Sequence, residues 1–373
     1  MRFFLLSNAF KGSFSSKEIN DLFQEGLSFL CDASFHSYEM ADGGDGSLSA
    51  LSSYRKGIFQ KTKAKGPILG KEIESEFFLS DEEAFLEERR TGGLALIGTK
   101  HFKETTSYGL GEEILLAKKS GARKIHLFLG GSASNDLGLG MLSALGMNFF
   151  DRAGRKIVPT TGSLSKIVSY DKGTLEENIR DLSFTMILDV FAPLLGEKGA
   201  TYLFASQKGA REEELPAMEK NFKRLLALFD DERRMDSQKK GAGAAGGIGY
   251  AGYRFLNAKA VLGAEYFLSL SNIGNEAREG DVLVTGEGRI DRSSFQGKLL
   301  GTLLDLAKKK KMLFLAIGGS VSAEIERKKE KDVLFLPLSS QGKILTREEM
   351  LKALKRNRDL LFSFLTRKEG NPV

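Results

Sequence analysis

Asp281-Val-Leu-Val-Thr-Gly-Glu-Gly-Arg-Ile-Asp291 decides the reading of this chain, because an apolar β-type run opens directly into glycines, two carboxylates and an arginine. Polar residues in that position stand at the mouth of a sheet, and open α/β sheets bind their ligands outside the carboxyl ends of their strands. Glycine lets the backbone approach a ligand closely, and acidic side chains can hold a metal. The competing reading is a glycine-rich left-handed turn carrying solvated charge.

Working outward, short apolar runs at residues 3–6, 124–129, 184–188, 281–285, 312–317 and 333–336 alternate with helical stretches. That alternation is the pattern of an α/β protein with largely parallel strands. Helix starts are legible. Ser15 stands three residues before Glu18 as a capping box, and Ile19, Leu22, Phe23 and Leu27 follow on one apolar face. Ser132, Ser134, Asn135 and Asp136 can cap a helix reaching Leu145, and Thr346 with Glu349 opens the last one. The lysines at 308–311 suit a helix C-terminus, and residues 370–373 should fray.

Among 373 residues, 55 are Lys or Arg and 49 are Asp or Glu, for a net charge of +6. The basic excess is dispersed among acids with no aromatic-interleaved stripe, so nucleic-acid binding is not expected. The longest apolar runs fall short of a membrane span, and Met1-Arg-Phe-Phe-Leu-Leu6 reads as a first strand rather than a signal peptide. A cytoplasmic protein without membrane attachment is the expectation, as a monomer or a homodimer. Cys31 alone cannot form an internal disulfide. His36, His101 and His126 are scattered, whereas zinc sites and hydrolase triads need clustered partners.

Four further segments pack small residues around polar chemistry: Leu5-Leu-Ser-Asn-Ala-Phe-Lys-Gly-Ser13, Met40-Ala-Asp-Gly-Gly-Asp-Gly-Ser47, Ile125-His-Leu-Phe-Leu-Gly-Gly-Ser-Ala-Ser-Asn-Asp136, and Gln207-Lys-Gly209 with the later run Gly241-Ala-Gly-Ala-Ala-Gly-Gly-Ile-Gly249. In their order, from about residue 5 to about residue 320, these stretches resemble the bacterial-type glycerate kinases, whose members read like DSFKGS, ADGGEGT, TTYGTGEL, GGSATNDGG, CDVxNPLLG, PQKGA, GAGAAGG and TGEGRID. The resemblance implies two α/β domains, one discontinuous and Rossmann-like with the second inserted into it, and an active site in the cleft between. Gly66-Pro67 reads as a hinge and residues 269–280 as a polar connection. The discontinuous domain is therefore placed at 1–65 and 280–373, and the inserted one at 66–279.

The implied activity is ATP-dependent phosphorylation of D-glycerate, with Mg2+, at the 2-hydroxyl as the usual outcome and the 3-hydroxyl left open. Alternatives are a kinase of another small hydroxy acid, or a catalytically weak relative that binds a metabolite or nucleotide. Phosphoryl transfer needs charge neutralisation around the transferred group and a base or orienting group at the acceptor. No Walker loop and no protein-kinase signature occurs, so the nucleotide site must be built otherwise. Lys11, Asp42, Asp45, Ser132, Asn135 and Arg289 are candidate substrate contacts. Lys208, Lys298, Gly130, Gly131 and Gly286 are candidates for the nucleotide. Asp189, Glu287 and Asp291 are candidate catalytic residues, Asp189 and Glu287 also as magnesium ligands. An internal pair of Arg289 with a neighbouring carboxylate that only shapes the turn is the alternative there. Gly241, Gly243 and Gly246 match a dinucleotide fingerprint, but no strand precedes them, so they read as a small-residue helix start admitting another backbone or a nucleotide.

Several positions leave the family pattern. Glu87-Glu-Arg-Arg-Thr-Gly-Gly-Leu94 stands for EMAxASGL, placing Arg89 and Arg90 where small apolar residues belong; both are expected to face solvent, since unpaired guanidinium groups are costly in a closed site. Leu110 replaces threonine, Leu137 glycine and Ala192 asparagine, and Arg292-Ser-Ser-Phe-Gln296 stands for GQTLH.

Overall fold

The computed structural model describes residues 1–10, 13–30, 32–230, 235–295, 297–328, 330–339 and 345–366. Lys11, Cys31, Gln296 and residues 370–373 lie outside the described residues. In chain order the strands are β1 (Arg2–Leu5), β2 (Ser34–Ser37), β3 (Ile58–Lys65), β4 (Glu72–Ser80), β5 (Glu83–Glu87), β6 (Lys124–Phe128), β7 (Asn148–Phe150), β8 (Lys156–Ile157), β9 (Ser169–Asp171), β10 (Ser183–Leu188), β11 (Lys259–Leu262), β12 (Val282–Ile290), β13 (Leu313–Val321) and β14 (Val333–Pro337). The chain divides into two compact units, Met1–Tyr54 with Gly263–Val373, and Arg55–Leu262.

In the first unit the sheet runs β14-β13-β12-β1-β2, every neighbouring pair parallel. The chain leaves β1 toward β2 on one side and returns as β12 on the other, so the order reverses between β1 and β12. Such a switch point opens a crevice at the strands' carboxyl ends. The decisive stretch does not turn at Thr285, as its glycines suggested. β12 continues to Ile290 because the equally long β13 pairs with it as far as Ile290↔Val321, and neither Gly286 nor Gly288 has positive φ. β1 stops earlier, its last partners being Leu5↔Val284. Glu287 therefore lies beyond the end of β1, with β13 on its other side.

Helix Ser16–Leu27 begins at Ser15, whose hydroxyl accepts the Glu18 N–H while Glu18 bonds back to the Ser15 backbone, and Ile19, Leu22, Phe23 and Leu27 enter the core. A cap of this kind contributes about 1 kcal/mol. Thr346 and Glu349 form the second capping box, opening helix Arg347–Arg356. Helix Leu299–Lys310 ends in lysines and is closed by Lys311 in the left-handed region at φ 55°.

The second unit carries the sheet β11-β10-β6-β5-β4-β3 and the small sheet β8-β7-β9. β5, β6, β10 and β11 are mutually parallel, whereas β3, β4 and β5 form an antiparallel meander. That meander moves the first boundary from 65 to 54, since β3 is hydrogen-bonded along its whole length to β4. The second boundary moves from 280 to 263, because the segment after β11 packs on the first unit: Phe267 meets Tyr54 at 6.5 Å between ring centroids, and the Tyr38 hydroxyl donates to Glu276 at 2.6 Å.

Candidate functional site

At the switch point of the first unit, Asn8, Asp42, Thr285, Gly286, Glu287, Lys298, Leu299 and Leu300 line a small pocket open to solvent. Its floor is the β1/β12 pairing, closed by the Leu6 N–H on Val284 O at 2.9 Å and the Thr285 hydroxyl on Leu6 O at 2.8 Å. Two polar residues of the first helix hold the loops above it. Asn20 accepts the Ser7 N–H and donates to Leu5 O and Tyr38 O, while the Ser16 hydroxyl donates to Ser7 O and accepts the Met40 N–H. The loops after β1 and β2 are thus tied to one buried helix face, which brings Asn8 against Asp42: Asn8 Nδ2 donates to Asp42 Oδ2 at 3.0 Å. A side chain at Gly263 would collide with the Asp42 backbone, its Cβ falling 2.1 Å from the carbonyl carbon.

Glu287 projects from β12 into this pocket. Burial raises its carboxyl, with Asp42 and Asp291 adding to the rise and Ser294 and Lys298 opposing it. Lys298 is the N-cap of helix Leu299–Lys310, whose first turn has no side-chain cap. A lysine beside free helix-start N–H groups favours an anion there. Gly286 has no room for a side chain, since Phe23 and Ile317 O approach it closely.

The other residues expected in this unit stand elsewhere. Asp45 lies three residues past Asp42 and does not line the pocket. Arg289 is exposed and pairs with Asp291 at 3.3 Å, while Asp291 accepts the Ser293 N–H and hydroxyl at 2.8 and 2.7 Å. Those bonds hold the Asp291 carboxyl below its usual range. Lys11 lies outside the described residues.

In the second unit the carboxyl ends of β5, β6 and β10 present Glu87 and Glu88, the run from Gly130 to Asp136, and Asp189. Gly131 is left-handed at φ 77°. The loops interlock through Ala133 N–H on Gly92 O at 2.8 Å and Leu94 N–H on Gly131 O at 3.0 Å. Lys208, 4% exposed, donates to Ser134 O at 2.7 Å. Burial pushes its ammonium down against the raising fields of Glu88, Asp136 and Asp189, and burial pushes the Glu88 carboxyl up against the field of Lys208. Ser132 is buried, its hydroxyl donating to Ser134 O at 3.3 Å. Asn135 is buried and tied through its N–H to Thr161 at 2.8 Å, and its Oδ1 has no partner among the described residues.

Asp136 caps differently from the expectation. The helix starts only at Leu139, and Asp136 accepts N–H groups from Ser107, Gly138 and Gly140 at 2.7, 3.1 and 3.2 Å. The glycine-rich run meets backbone: Cβ atoms at Gly246 and Gly243 would fall 2.1 and 2.0 Å from Ser134 O and Pro193 O. Arg90 does not simply face solvent, being half-buried between Glu87 at 3.0 Å and Glu76 at 2.8 Å. Its pairing removes the penalty that argued for exposure.

Sequence reasoning missed Asn8, Asn20, Thr285 and Glu88. Asn8 and Thr285 carried a signal, since they begin the stretches matched to DSFKGS and TGEGRID.

The chain has relatives in sequence and in fold. Residues 3–360 match the model of the glycerate kinase family. A glycerate kinase of Bacillus cereus is 33% identical over 365 residues, 96% of this chain and 95% of that protein. A glycerate 2-kinase of Escherichia coli is 32% identical over 92% of each chain. The crystal structure of a Salmonella typhimurium LT2 protein assigned as glycerate kinase 2 superposes with a TM-score of 0.75 and 26% identity over 98% of both chains.

Proposed function

Because the chain belongs to the glycerate kinase family, we propose that it transfers the γ-phosphoryl group of ATP to D-glycerate, and to the 2-hydroxyl. The observation that carries this reading is the switch-point pocket, where Lys298 and an uncapped helix start favour an anion within the same wall as Glu287 and Asp42. Charge neutralisation and a carboxylate near the acceptor are the parts phosphoryl transfer requires. A carboxyl raised by burial is the better proton acceptor once ionised, which suits Glu287 to the glycerate hydroxyl.

Among the described residues no three His, Cys, Asp or Glu side chains gather to hold a metal. Magnesium commonly takes only one or two carboxylates, the rest of its shell being phosphate and water. Glu287 with Asp42 is such a pair. Magnesium bound there would offset phosphate charge. Asp189 acts electrostatically on Lys208, and the loop from Gly130 to Asn135 with Lys208 is assigned to binding the anionic groups of substrate or nucleotide. Asp291 and Arg289 are assigned to shaping the strand end.

Purified protein incubated with D-glycerate and MgATP should yield ADP and a phosphoglycerate whose proton-coupled phosphorus signal is a doublet, the phosphate sitting on a carbon with a single proton. A triplet would place it on the 3-hydroxyl. Absence of glycerate-dependent ADP release, or stronger turnover of another hydroxy acid, would overturn the assignment. Glu287→Gln and Asp189→Asn should each lower kcat by about 10² to 10³ with melting temperature nearly unchanged. Full activity in either variant would remove that residue from the chemistry.

Among the described residues no helix is long and apolar enough to cross a membrane.

A further inference from the structure

We propose that Asn8 is a positioning residue for Asp42, an amide clamp that this chain carries where the family string DSFKGS begins with aspartate. The inference rests on the phosphoryl-transfer reading of the pocket. Asn8 is fixed at both ends: its Oδ1 accepts the Ala9 N–H at 2.9 Å, and its Nδ2 donates to Asp42 Oδ2 at 3.0 Å. The Gly44 N–H takes the other oxygen, Asp42 Oδ1, at 3.1 Å. Each Asp42 oxygen thus receives one bond from the protein and keeps a lone pair for the pocket that Asn8, Asp42, Glu287 and Lys298 line together. The loops bearing Asn8 and Asp42 are themselves pinned to Ser16 and Asn20, so the pair is held before any ligand arrives.

An amide at position 8 donates to Asp42 through Nδ2 while its own oxygen is held by the backbone, whereas alanine there donates nothing.

The test is kcat for Asn8→Ala, which cannot clamp: it should lose about ten-fold with little change in melting temperature, and an Asn8→Ala variant as active as the parent would overturn the clamp. One readout does not depend on activity: the Asn8 side-chain amide resonance of the whole chain, identified by its loss in Asn8→Ala, should move upfield in Asp42→Ala. A resonance that stays put sinks the clamp whatever the enzyme phosphorylates. A resonance that moves in a chain that ignores glycerate leaves the clamp standing and sinks only the assigned reaction.

Discussion

Glu113 lies in helix Tyr108–Lys119 with no exposure. Burial pushes its carboxyl up to about 8, against pulls from Ser75 and Arg90 and with pushes from Glu87 and Glu88. In the unfolded chain the same group releases its proton near the ordinary value, so the folded state binds more protons between the two. The stability it supports is fully present below the unfolded pKa and is lost as pH climbs toward about 8, with a slope of up to about 1.4 kcal/mol per pH unit. Glu113→Gln removes the titration. Its melting temperature should therefore fall less between mildly acid and mildly alkaline pH than that of the parent. Parallel curves would show that Glu113 does not hold its proton in the fold.

At the scale of elements, the α/β class, the apolar strands and both capping boxes were readable because each rests on local pattern: period, cap residue, glycine position. What escaped depends on partners distant in sequence. The length of β12 is set by β13, the boundary at Tyr54 by the pairing of β3 with β4, and the coupling of Asn8 to Asp42 by Ser16 and Asn20 on a helix between them. Of the residues lining the switch-point pocket, Asp42, Gly286, Glu287 and Lys298 are legible as polar or glycine positions after a strand or before a helix, whereas the pairing of Arg289 with Asp291 is not, because residues that hold a ligand and residues that pair with each other show the same sequence pattern. Leu137 shows a local rule broken in a core. It sits at φ 60°, fully buried, in the segment that Gly246 and Gly247 press against, where the family pattern has glycine. A left-handed leucine costs roughly 1–2 kcal/mol, whereas truncating a buried leucine costs about 2–5 kcal/mol. Leu137→Ala loses the packing and keeps the strain; Leu137→Gly loses slightly more packing and releases it. In urea unfolding the glycine variant should be at least as stable as the alanine variant, the reverse of the usual order. If glycine proves worse by the ordinary margin of about 0.5–1 kcal/mol, the left-handed backbone at Leu137 is wrong.

For the whole molecule, the division into units makes a claim about folding that the order of the sequence obscures. Arg55–Leu262 is one continuous stretch with its own sheets and a core built from residues such as Ile114, Leu127, Leu142, Phe149, Phe222 and Ile248. The other unit is cut in two, and neither piece is complete: β1 pairs with β2 on one side but needs β12 on the other, and Leu22 and Phe23 share a core with Val284, Ile317 and Leu354. Its cut ends nevertheless meet, for the tilted rings of Tyr54 and Phe267 lie 6.5 Å apart beside the point where Gly263 begins. A fragment of residues 55–262 should unfold cooperatively on heating, since a continuous domain with its own core can fold alone. Residues 1–54 joined to 263–366 by a short glycine-serine linker should also fold, because little loop-closure entropy separates ends already in contact. Residues 1–54 alone should show no cooperative transition, as a two-strand pair with two helices, Ser16–Leu27 and Ser47–Ser52, buries too little apolar surface. Circular dichroism melts of the three fragments decide it. A fragment 55–262 without a transition would mean that the inserted unit draws its stability from the other one, and the two units would then be a single folding body.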